Sequence, residues 1–382
     1  MDLSVMFFGA DDAGAEHSAK YAGHTAKYDD ILAIARAADR LGFTAIWTPE
    51  RHFQQVGQVF PNPALLSAAL ATATERIHLR AGSLVLPLHH PLRVAEDWAV
   101  VDNLSRGRIG VSVATGWHST DFVLAPAAYQ ERRERAFRDL ALLRRLWAGE
   151  AAEFTDGTGG RVAVVSQPRP YSTSLPLWTT TSGSPQTWEA AGRMRTNILG
   201  ATIGQTRDEL AGKIRLYRDA YAAAPEQPGA PPRGTVTLMA HTYVAGTDEA
   251  AREQAGGPLK KYLRSYVAQT AANKQAAPNK QAAPNKQAAA HERAVANKQA
   301  ADKGAWAGAL SEEQLGTLTE FAFRRYLTWG SLIGSPETCR KSLADLADLG
   351  CDEVACFVDF GLGRAEVLES LRRLADLSGE DR

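Results

Sequence analysis

The chain has 382 residues, 45% of them hydrophobic, which is enough to bury a large core in one α/β barrel or in two smaller domains. Lysine plus arginine and aspartate plus glutamate number 43 each, so no global charge would recruit nucleic acid or an anionic membrane, and a small, largely apolar ligand is the expected partner. Cys339, Cys351 and Cys356 lack the paired spacing of a zinc site or a disulfide framework. The sequence contains no apolar run of about 18 residues, which favours a cytoplasmic protein.

Short apolar runs alternate with amphipathic stretches along the chain, as is typical of a parallel α/β fold. The first strand is predicted at 3–8, followed by a loop of small and polar residues at 9–26 and a helix at 27–41. Seven further strands are predicted at 44–47, 77–86, 108–114, 176–181, 196–201, 235–244 and 353–360. Because a helical segment follows each strand, the pattern predicts a (β/α)8 TIM barrel in a single domain, 1–382.

An insertion is predicted at 250–325, between strand seven and the last strand–helix unit. It contains the sequence Asn-Lys-Gln-Ala-Ala-Pro at 273–278, which is repeated with small changes up to residue 302. The repeat has helix formers but no apolar stripe, and its prolines recur at a fixed interval. We therefore predict that 273–302 forms neither a long regular helix nor a core. No acidic residue occurs from Gln254 to His291, which makes this segment locally basic.

Four histidines follow predicted strands near their carboxyl ends. His52 follows the second strand, His89 and His90 the third, and His118 the fourth. The carboxyl ends of parallel strands meet on one rim of a barrel, so we expect these imidazoles on the same rim, where they suit acid–base chemistry at neutral pH. His89 and His90 precede Pro91 at a helix start, and their alternative role is to satisfy local backbone groups.

Small and hydroxyl-bearing residues follow the fifth strand, in the sequence Ser182-Gly-Ser-Pro-Gln-Thr187. A helix is predicted to begin at about Pro185, and the backbone N–H groups at a helix start form an anion site. The hydroxyls of Ser182, Ser184 and Thr187 could equally cap this helix. The residues alone leave both roles open.

The sequence from Leu84 to Phe122 resembles the bacterial luciferase-like monooxygenases. It contains Val-Leu-Pro, His-Pro-Leu-Arg-Val-Ala-Glu-Asp-Trp, Asp-Asn-Leu-Ser-Arg-Gly-Arg and Gly-Trp-His. The similarity extends to Trp47–Phe53, Pro61–Pro63, Gly204–Gln205 and Cys356–Phe360. Within the family, the chain resembles the FMN-dependent, MupA-type natural-product branch.

The resemblance implies a TIM barrel that holds reduced FMN at the carboxyl ends of its strands and uses O2. The cofactor-binding residues that it implies are Ser83, Thr115, Gly116, Trp117, Ser182, Gly183, Ser184 and Thr187. Ser83 occupies a position where relatives often have a non-prolyl cis peptide beneath the flavin ring. Trp117 belongs to the implied flavin-contacting turn, and its alternative role is to pack against Phe122 in the core.

The candidate catalytic residues are His52, Arg51 and His118. Many relatives have two consecutive histidines where this chain has Arg51-His52, so a catalytic histidine does not carry over to position 51. Arg51 would instead supply a fixed positive charge for an anionic reduced flavin or a peroxide. The alternative for Arg51 is a salt bridge with Glu50 or Asp97.

The predicted function is an FMN-dependent monooxygenase that hydroxylates, at carbon or nitrogen, a small acyl or aminoacyl substrate of natural-product biosynthesis, free or bound to a carrier protein. A separate reductase would supply FMNH2, because the sequence has no strand–GxGxxG–helix motif. A homodimer is compatible with the resemblance, and no metal is predicted. The alternatives are an F420-dependent hydride-transfer enzyme, a metal-dependent barrel hydrolase suggested only by the histidines, and a flavin-binding protein without turnover.

Overall fold

The first and last strands of the chain pair in parallel and close a barrel. The computed structural model describes residues 1–9, 17–53, 59–181, 183–227, 229–276 and 311–379. Its strands are β1 (Asp2–Met6), β2 (Ala45–Thr48), β3 (His78–Val85), β4 (Ile109–Ala114), β5 (Ala152–Thr155), β6 (Arg161–Val164), β7 (Leu177–Thr180), β8 (Asn197–Ala201), β9 (Val236–Val244), β10 (Leu332–Gly334) and β11 (Glu353–Phe357).

Eight parallel strands form the barrel in the order β1-β2-β3-β4-β7-β8-β9-β11. The ring is closed by β1 and β11, whose register runs from Asp2 opposite Glu353 to Met6 opposite Phe357. The predicted TIM barrel is therefore confirmed. The short strand β10 pairs with the carboxyl end of β9, and β5 and β6 form a separate antiparallel hairpin.

The helices are α1 (His17–Leu41), α2 (Pro63–Ala73), α3 (Pro91–Ser105), α4 (Arg132–Ala148), α5 (Pro185–Arg193), α6 (Arg207–Ala223), α7 (Asp248–Ala276), α8 (Glu312–Thr328), α9 (Pro336–Asp348) and α10 (Arg364–Gly379). Proline begins α2, α3, α5 and α9, where its missing N–H has no intrahelical partner to lose. Among the described residues, no helix is both long enough and apolar enough to cross a membrane.

Helix α1 begins ten residues earlier than the sequence predicts. The loop predicted at 9–26 is wrong from His17 onward, because α1 already includes 17–26, whereas 10–16 lie outside the described residues. The segment 17–26 is rich in alanine and polar residues and has no apolar stripe. A pattern search for buried helix faces therefore has nothing to detect there, although alanine and lysine favour a helix.

The chain divides into two compact units, Met1–Ala255 with Trp329–Arg382, and Gly256–Thr328. In the second unit, Lys260 donates to Glu320 at 2.8 Å and lies 4.5 Å from the ring centroid of Phe323. The first four residues of the predicted repeat segment, 273–276, end α7, and 277–302 lie outside the described residues. The predicted insertion at 250–325 stays a prediction.

A buried ion pair occupies the barrel interior near the amino ends of the strands. Nη1 of Arg80 donates to both carboxylate oxygens of Glu353, at 2.9 and 2.8 Å. The guanidinium lies 4.9 Å from the ring centroid of Trp47 and 4.6 Å from that of Trp178. Thr237 donates to the same carboxylate at 3.3 Å. The interior is therefore filled by side chains, which leaves the rim as the place for a ligand.

Candidate active site

Glu50 joins the loops that follow β2 and β3. Its Oε1 atom lies 2.9 Å from Nε2 of His52 and 2.6 Å from Nε2 of His89. Its Oε2 atom accepts from the N–H of Val85 at 2.6 Å, and its own N–H donates to the carbonyl of Ser83 at 3.1 Å. These four contacts hold two imidazoles and the end of β3 in one rigid arrangement.

The carboxyl group of Glu50 is charged in this arrangement. Burial opposes the charge, but hydrogen bonds from His52 and His89 and the positive charge of His89 keep the pKa of Glu50 below its ordinary value. Burial likewise opposes the charge of His89, whose pKa is nevertheless raised by the hydrogen bond and charge of Glu50 and by the nearby Asp97. The carboxylate of Glu50 therefore favours the charged form of His89.

His89 and His90 have different roles, although they are adjacent. The ring of His90 accepts from the N–H of Leu92 at 3.3 Å and so caps α3, which is the local role that the sequence offered for both residues. His89 turns the other way and bonds to Glu50. Sequence reasoning missed Glu50 as a site residue, and its only signal was an acidic residue at the carboxyl end of a buried strand.

The peptide bond between Gly82 and Ser83 is cis, which is the geometry that the resemblance implies at this position. A Cβ atom at Gly82 would lie 2.8 Å from Cβ of Trp47, so the close approach of β2 requires glycine here. The hydrogen bonds of Glu50 to the carbonyl of Ser83 and to the N–H of Val85 both lie on the carboxyl side of the cis bond. The predicted site residue Ser83 and the candidate His52 therefore share one partner.

Arg51 lies on the Phe8 ring. Its guanidinium carbon is 3.4 Å from the ring centroid of Phe8. Of the two acidic residues named for it in the sequence analysis, Glu50 bonds the histidines and Asp97 pairs with Arg93 at 3.1 Å. The positive charge of Arg51 thus lies over an aromatic face at the mouth of the barrel.

His118 is neutral at pH 7, because its burial and the charge of Arg51 lower its pKa to about 4. The neighbouring Trp117 is 47% exposed, and its ring centroid lies 3.8 Å from that of His118. Trp117 therefore presents an aromatic face outward, whereas Phe122 is buried. The alternative in which Trp117 packs into the core is wrong.

The turn that follows β4 depends on Gly116. Its φ of 78° is in the left-handed region, and a Cβ atom there would lie 2.7 Å from the ring of Phe122. Its carbonyl accepts from Nε of Arg132 at 3.0 Å. Thr115, which precedes it, is half-buried at the end of the strand. The turn is thus fixed by packing on one side and by α4 on the other.

The start of α5 is polar and lies beside α4. Ser184 precedes the helix, but among the described residues its hydroxyl caps none of the helix N–H groups and donates instead to Gln186 at 2.9 Å. The capping role is therefore wrong for Ser184. The hydroxyl of Thr187 accepts from Nη2 of Arg133 at 3.3 Å, which brings a positive charge to the helix start. Ser182 lies outside the described residues.

Sequence reasoning also missed two residues of the rim. His241 on β9 is fully buried, with ring centroids 4.3 Å from Phe357 and 5.1 Å from Phe360, and burial lowers its pKa to about 3. Asp359 accepts from the N–H groups of Phe8 and the following residue at 2.6 and 2.7 Å, which fixes the end of β1. The available signals were a histidine inside the apolar strand β9 and an aspartate just after β11.

The histidines do not surround a cation position. Oε1 of Glu50 lies between the Nε2 atoms of His52 and His89, at hydrogen-bonding distances. Within the part of the chain that the structure describes, no group of three or more histidine, cysteine, aspartate or glutamate side chains is arranged to hold a metal ion.

Several solved structures have the same fold. The chain superposes on the monooxygenase RslO1 of Streptomyces bottropensis with a TM-score of 0.72 and 22% identity, over 100% of this chain and 99% of that one. It superposes on the oxygenating constituent of 3,6-diketocamphane monooxygenase of Pseudomonas putida, in complex with FMN, with a TM-score of 0.69 and 18% identity, over 98% of this chain and 96% of that one. Its superposition on an F420-dependent secondary alcohol dehydrogenase gives a TM-score of 0.65 and 12% identity, over 99% of each chain. At these identities the similarity shows the fold alone.

Three sequence relatives are monooxygenases. The oxygenase component of flavin-dependent trigonelline monooxygenase of Acinetobacter baylyi is 29% identical over 236 residues, 59% of this chain and 61% of the relative. Limonene 1,2-monooxygenase of Rhodococcus erythropolis is 31% identical over 271 residues, 68% and 67% of the two chains. For 4-hydroxyprotoasukamycin monooxygenase of Streptomyces nodosus subsp. asukaensis, the identity is 26% over 243 residues, 62% and 64%. Two of the three matches span less than two thirds of the relative.

The family match covers most of the barrel. Residues 1–353 match the luciferase-like monooxygenases, and this region contains the Glu50 cluster, the cis peptide and the start of α5. The chain therefore belongs to the luciferase-like monooxygenase family.

Proposed function

We propose that this protein is an FMN-dependent monooxygenase that hydroxylates, at carbon or nitrogen, a small acyl or aminoacyl substrate of natural-product biosynthesis. The observation that carries the proposal is the Glu50 cluster, in which a buried carboxylate orients the imidazoles of His52 and His89 beside the cis peptide at Ser83. An oriented imidazole at a barrel rim is suited to proton transfer. The MupA-type branch is part of the same proposal.

The start of α5 fits a flavin phosphate. Its N–H groups are not capped by Ser184, and a helix start favours a negative charge. Arg133 brings a guanidinium to Thr187, and the side of Gly183 is open, since a Cβ atom there would meet nothing within 4 Å. The residues that would hold the phosphate are Ser182, Gly183, Ser184 and Thr187, with Arg133 as an addition to the predicted set.

The turn after β4 fits a planar ring. Trp117 presents an exposed aromatic face, and Gly116 and Thr115 form the turn next to it. Ser83 would contact the ring from the barrel side. These residues support a flavin-type ring, and we propose FMN, the ligand of the 3,6-diketocamphane monooxygenase structure.

Reduced FMN, when bound, supplies the electrons that activate O2. His52 would hold or move a proton at its Nδ1 atom, because its Nε2 atom is bonded to Glu50. Arg51 would place a fixed positive charge where negative charge develops. His118, neutral at pH 7, could accept a hydrogen bond or a proton.

Replacement of Thr187 by valine, or of Ser182 by alanine, is expected to weaken the binding of reduced FMN by about 1–2 kcal/mol, because each removes one hydrogen bond to a charged group. Arg133→Gln should weaken it as well. Anaerobic titrations with reduced FMN and with F420 provide the measurement. Arg145→Gln, on the same helix but paired with Glu150, is the matched control. Unchanged affinity in all three variants would show that the phosphate is placed wrongly, and tighter binding of F420 would exclude the proposed cofactor.

The proposed partners are a separate flavin reductase and a carrier protein that presents the substrate. The name of the trigonelline enzyme, an oxygenase component, supports the reductase, and the 4-hydroxyprotoasukamycin enzyme supports a role in natural-product biosynthesis. A homodimer is part of the proposal. An open loop at 9–26 could have admitted the arm of a carrier protein, but this segment is helical from His17 onward and does not support the carrier.

A single-turnover experiment tests the reaction. The protein loaded with reduced FMN is mixed with ¹⁸O2 and a panel of acyl and aminoacyl substrates, each as the free acid and as the carrier-bound thioester. We expect one ¹⁸O atom in the product. Equal rates for free and carrier-bound substrates would remove the carrier from the proposal. Hydrogen peroxide without any oxygenated product across the panel would favour the flavin-binding alternative.

A further inference from the structure

Two imidazoles of the Glu50 cluster share one carboxylate oxygen. The Nε2 atoms of His52 and His89 lie 2.9 and 2.6 Å from Oε1 of Glu50. A carboxylate oxygen only accepts hydrogen bonds, so each Nε2 atom must carry a hydrogen. This assigns the tautomer of both rings when they are neutral. The Nδ1 atom of each ring is then the nitrogen that gains or loses a proton.

The cluster has room for one positive charge. The side chain of Glu50 is fully buried and contributes one negative charge. A first proton on either imidazole neutralises that charge, but a second proton would leave a net positive charge in a buried place. The two rings are therefore coupled, and protonation of one disfavours protonation of the other.

The geometry favours His89 as the ring that carries this proton. Its contact with Glu50 is the shorter of the two, and its side chain is 27% exposed, compared with 10% for His52. Water can therefore solvate a charged His89 better than a charged His52. Asp97 adds a second negative charge near His89, and it is shared with Arg93 at 3.1 Å.

The charged groups around His52 differ from those around His89. The neighbour of His52 in the chain is Arg51, which is positively charged and whose field already lowers the pKa of His118. Glu50 is the acidic partner of both rings, whereas Asp97, which pairs with Arg93, acts on His89. The arrangement is therefore asymmetric.

We propose that His89 is a resident imidazolium that neutralises Glu50 and thereby keeps His52 neutral, with a lone pair on Nδ1. His89 is then a positioning residue, because it acts on His52 through Glu50. The role of His52 as the base rests on the function proposed above, whereas the protonation states do not. Removal of the charge at position 89 should transfer the proton to His52.

Two substitutions separate the charge of His89 from its hydrogen bond. His89→Gln retains an N–H donor for Glu50 but removes the charge, and it should raise the pKa of His52 by about 1–3 units, the shift that an unneutralised carboxylate produces. His89→Lys retains the charge and should leave the pKa of His52 near that of the natural protein. His90→Asn, which keeps a capping side chain on α3, is the control and should change neither.

Histidine-labelled ¹⁵N NMR of the resting protein measures the tautomer and the titration of His52 directly. At pH 7 the natural protein should show hydrogen on both ring nitrogens of His89 and, on the neutral ring of His52, hydrogen on Nε2 alone. The pH profile of product formation is the second readout. A base acts when it is unprotonated, so the acidic limb in His89→Gln should move to higher pH by the same amount as the pKa.

The proposal fails if His89 of the natural protein is neutral at pH 7, or if His89→Gln leaves the titration of His52 unchanged. The first measurement needs no variant, so it decides the point even if a variant does not fold. If the titration moves but the pH profile does not, the protonation states are confirmed and His52 is not the base. The proposed function would then need another proton acceptor, with no effect on the assignment of His89.

Discussion

Arg80→Met is expected to lower the free energy of unfolding by about 3–5 kcal/mol, because it leaves the carboxylate of Glu353 buried without its partner. The side chains of Arg80 and Glu353 are only 12% and 4% exposed, so water cannot replace the lost contacts. Methionine retains much of the apolar stem between the rings of Trp47 and Trp178. The decrease should therefore report the lost charge rather than a large cavity. Urea denaturation followed by circular dichroism gives the measurement.

A double variant sharpens this test. Arg80→Met combined with Glu353→Gln removes both charges and should recover a large part of the lost stability. Arg161→Met is the control, because Arg161 and Glu153 pair on the exposed β5–β6 hairpin, where water solvates both charges. A loss for Arg80→Met no greater than that for Arg161→Met would mean that the interior pair does not stabilise the barrel.

His52→Ala is expected to reduce the formation of oxygenated product by roughly 10²–10⁴-fold, the usual contribution of a positioned acid–base group. The binding of reduced FMN should be retained, because His52 lies with Glu50 and not at the start of α5. Oxygen consumption should continue, with the electrons recovered as hydrogen peroxide. The measurement compares product and peroxide formed per FMNH2 oxidised.

His118→Ala is the companion variant, since His118 is the other candidate base of the rim. It is already neutral at pH 7, so its loss removes no charge from the site. Normal coupling in His52→Ala together with uncoupling in His118→Ala would transfer the catalytic role to His118. Loss of coupling in both would mean that the two imidazoles act in successive proton transfers.

The barrel could be predicted from the sequence because each of its strands is an apolar run bounded by turn residues. The strand predicted at 44–47 differs from β2 by one residue at each end, and the strand predicted at 235–244 differs from β9 by one residue at its start. The β5–β6 hairpin was not predicted, because its residues are mostly exposed and leave no apolar pattern. Strand β10 has only three residues, which is too short for periodicity to detect.

The site could be predicted only in part, because its central contacts join distant residues. The sequence places His52 and Ser83 at strand ends, and the structure brings both to Glu50. The sequence contains no signal that His89 turns toward Glu50 while His90 caps a helix, since the two histidines are adjacent and chemically identical. Arg133 was missed for the same reason, because α4 meets Thr187 only after folding.

The pairing of β1 with β11 constrains the order of folding during synthesis. Of the barrel strands, the one that is synthesised first has its second neighbour in the one that is synthesised last, at 353–357. Until those residues emerge, β1 is bonded only to β2, and β9 also lacks its partner β11. Both edges then present unpaired N–H and C=O groups, which are templates for association with other chains. The nascent protein therefore has its greatest need for a chaperone late in translation, shortly before the barrel can close.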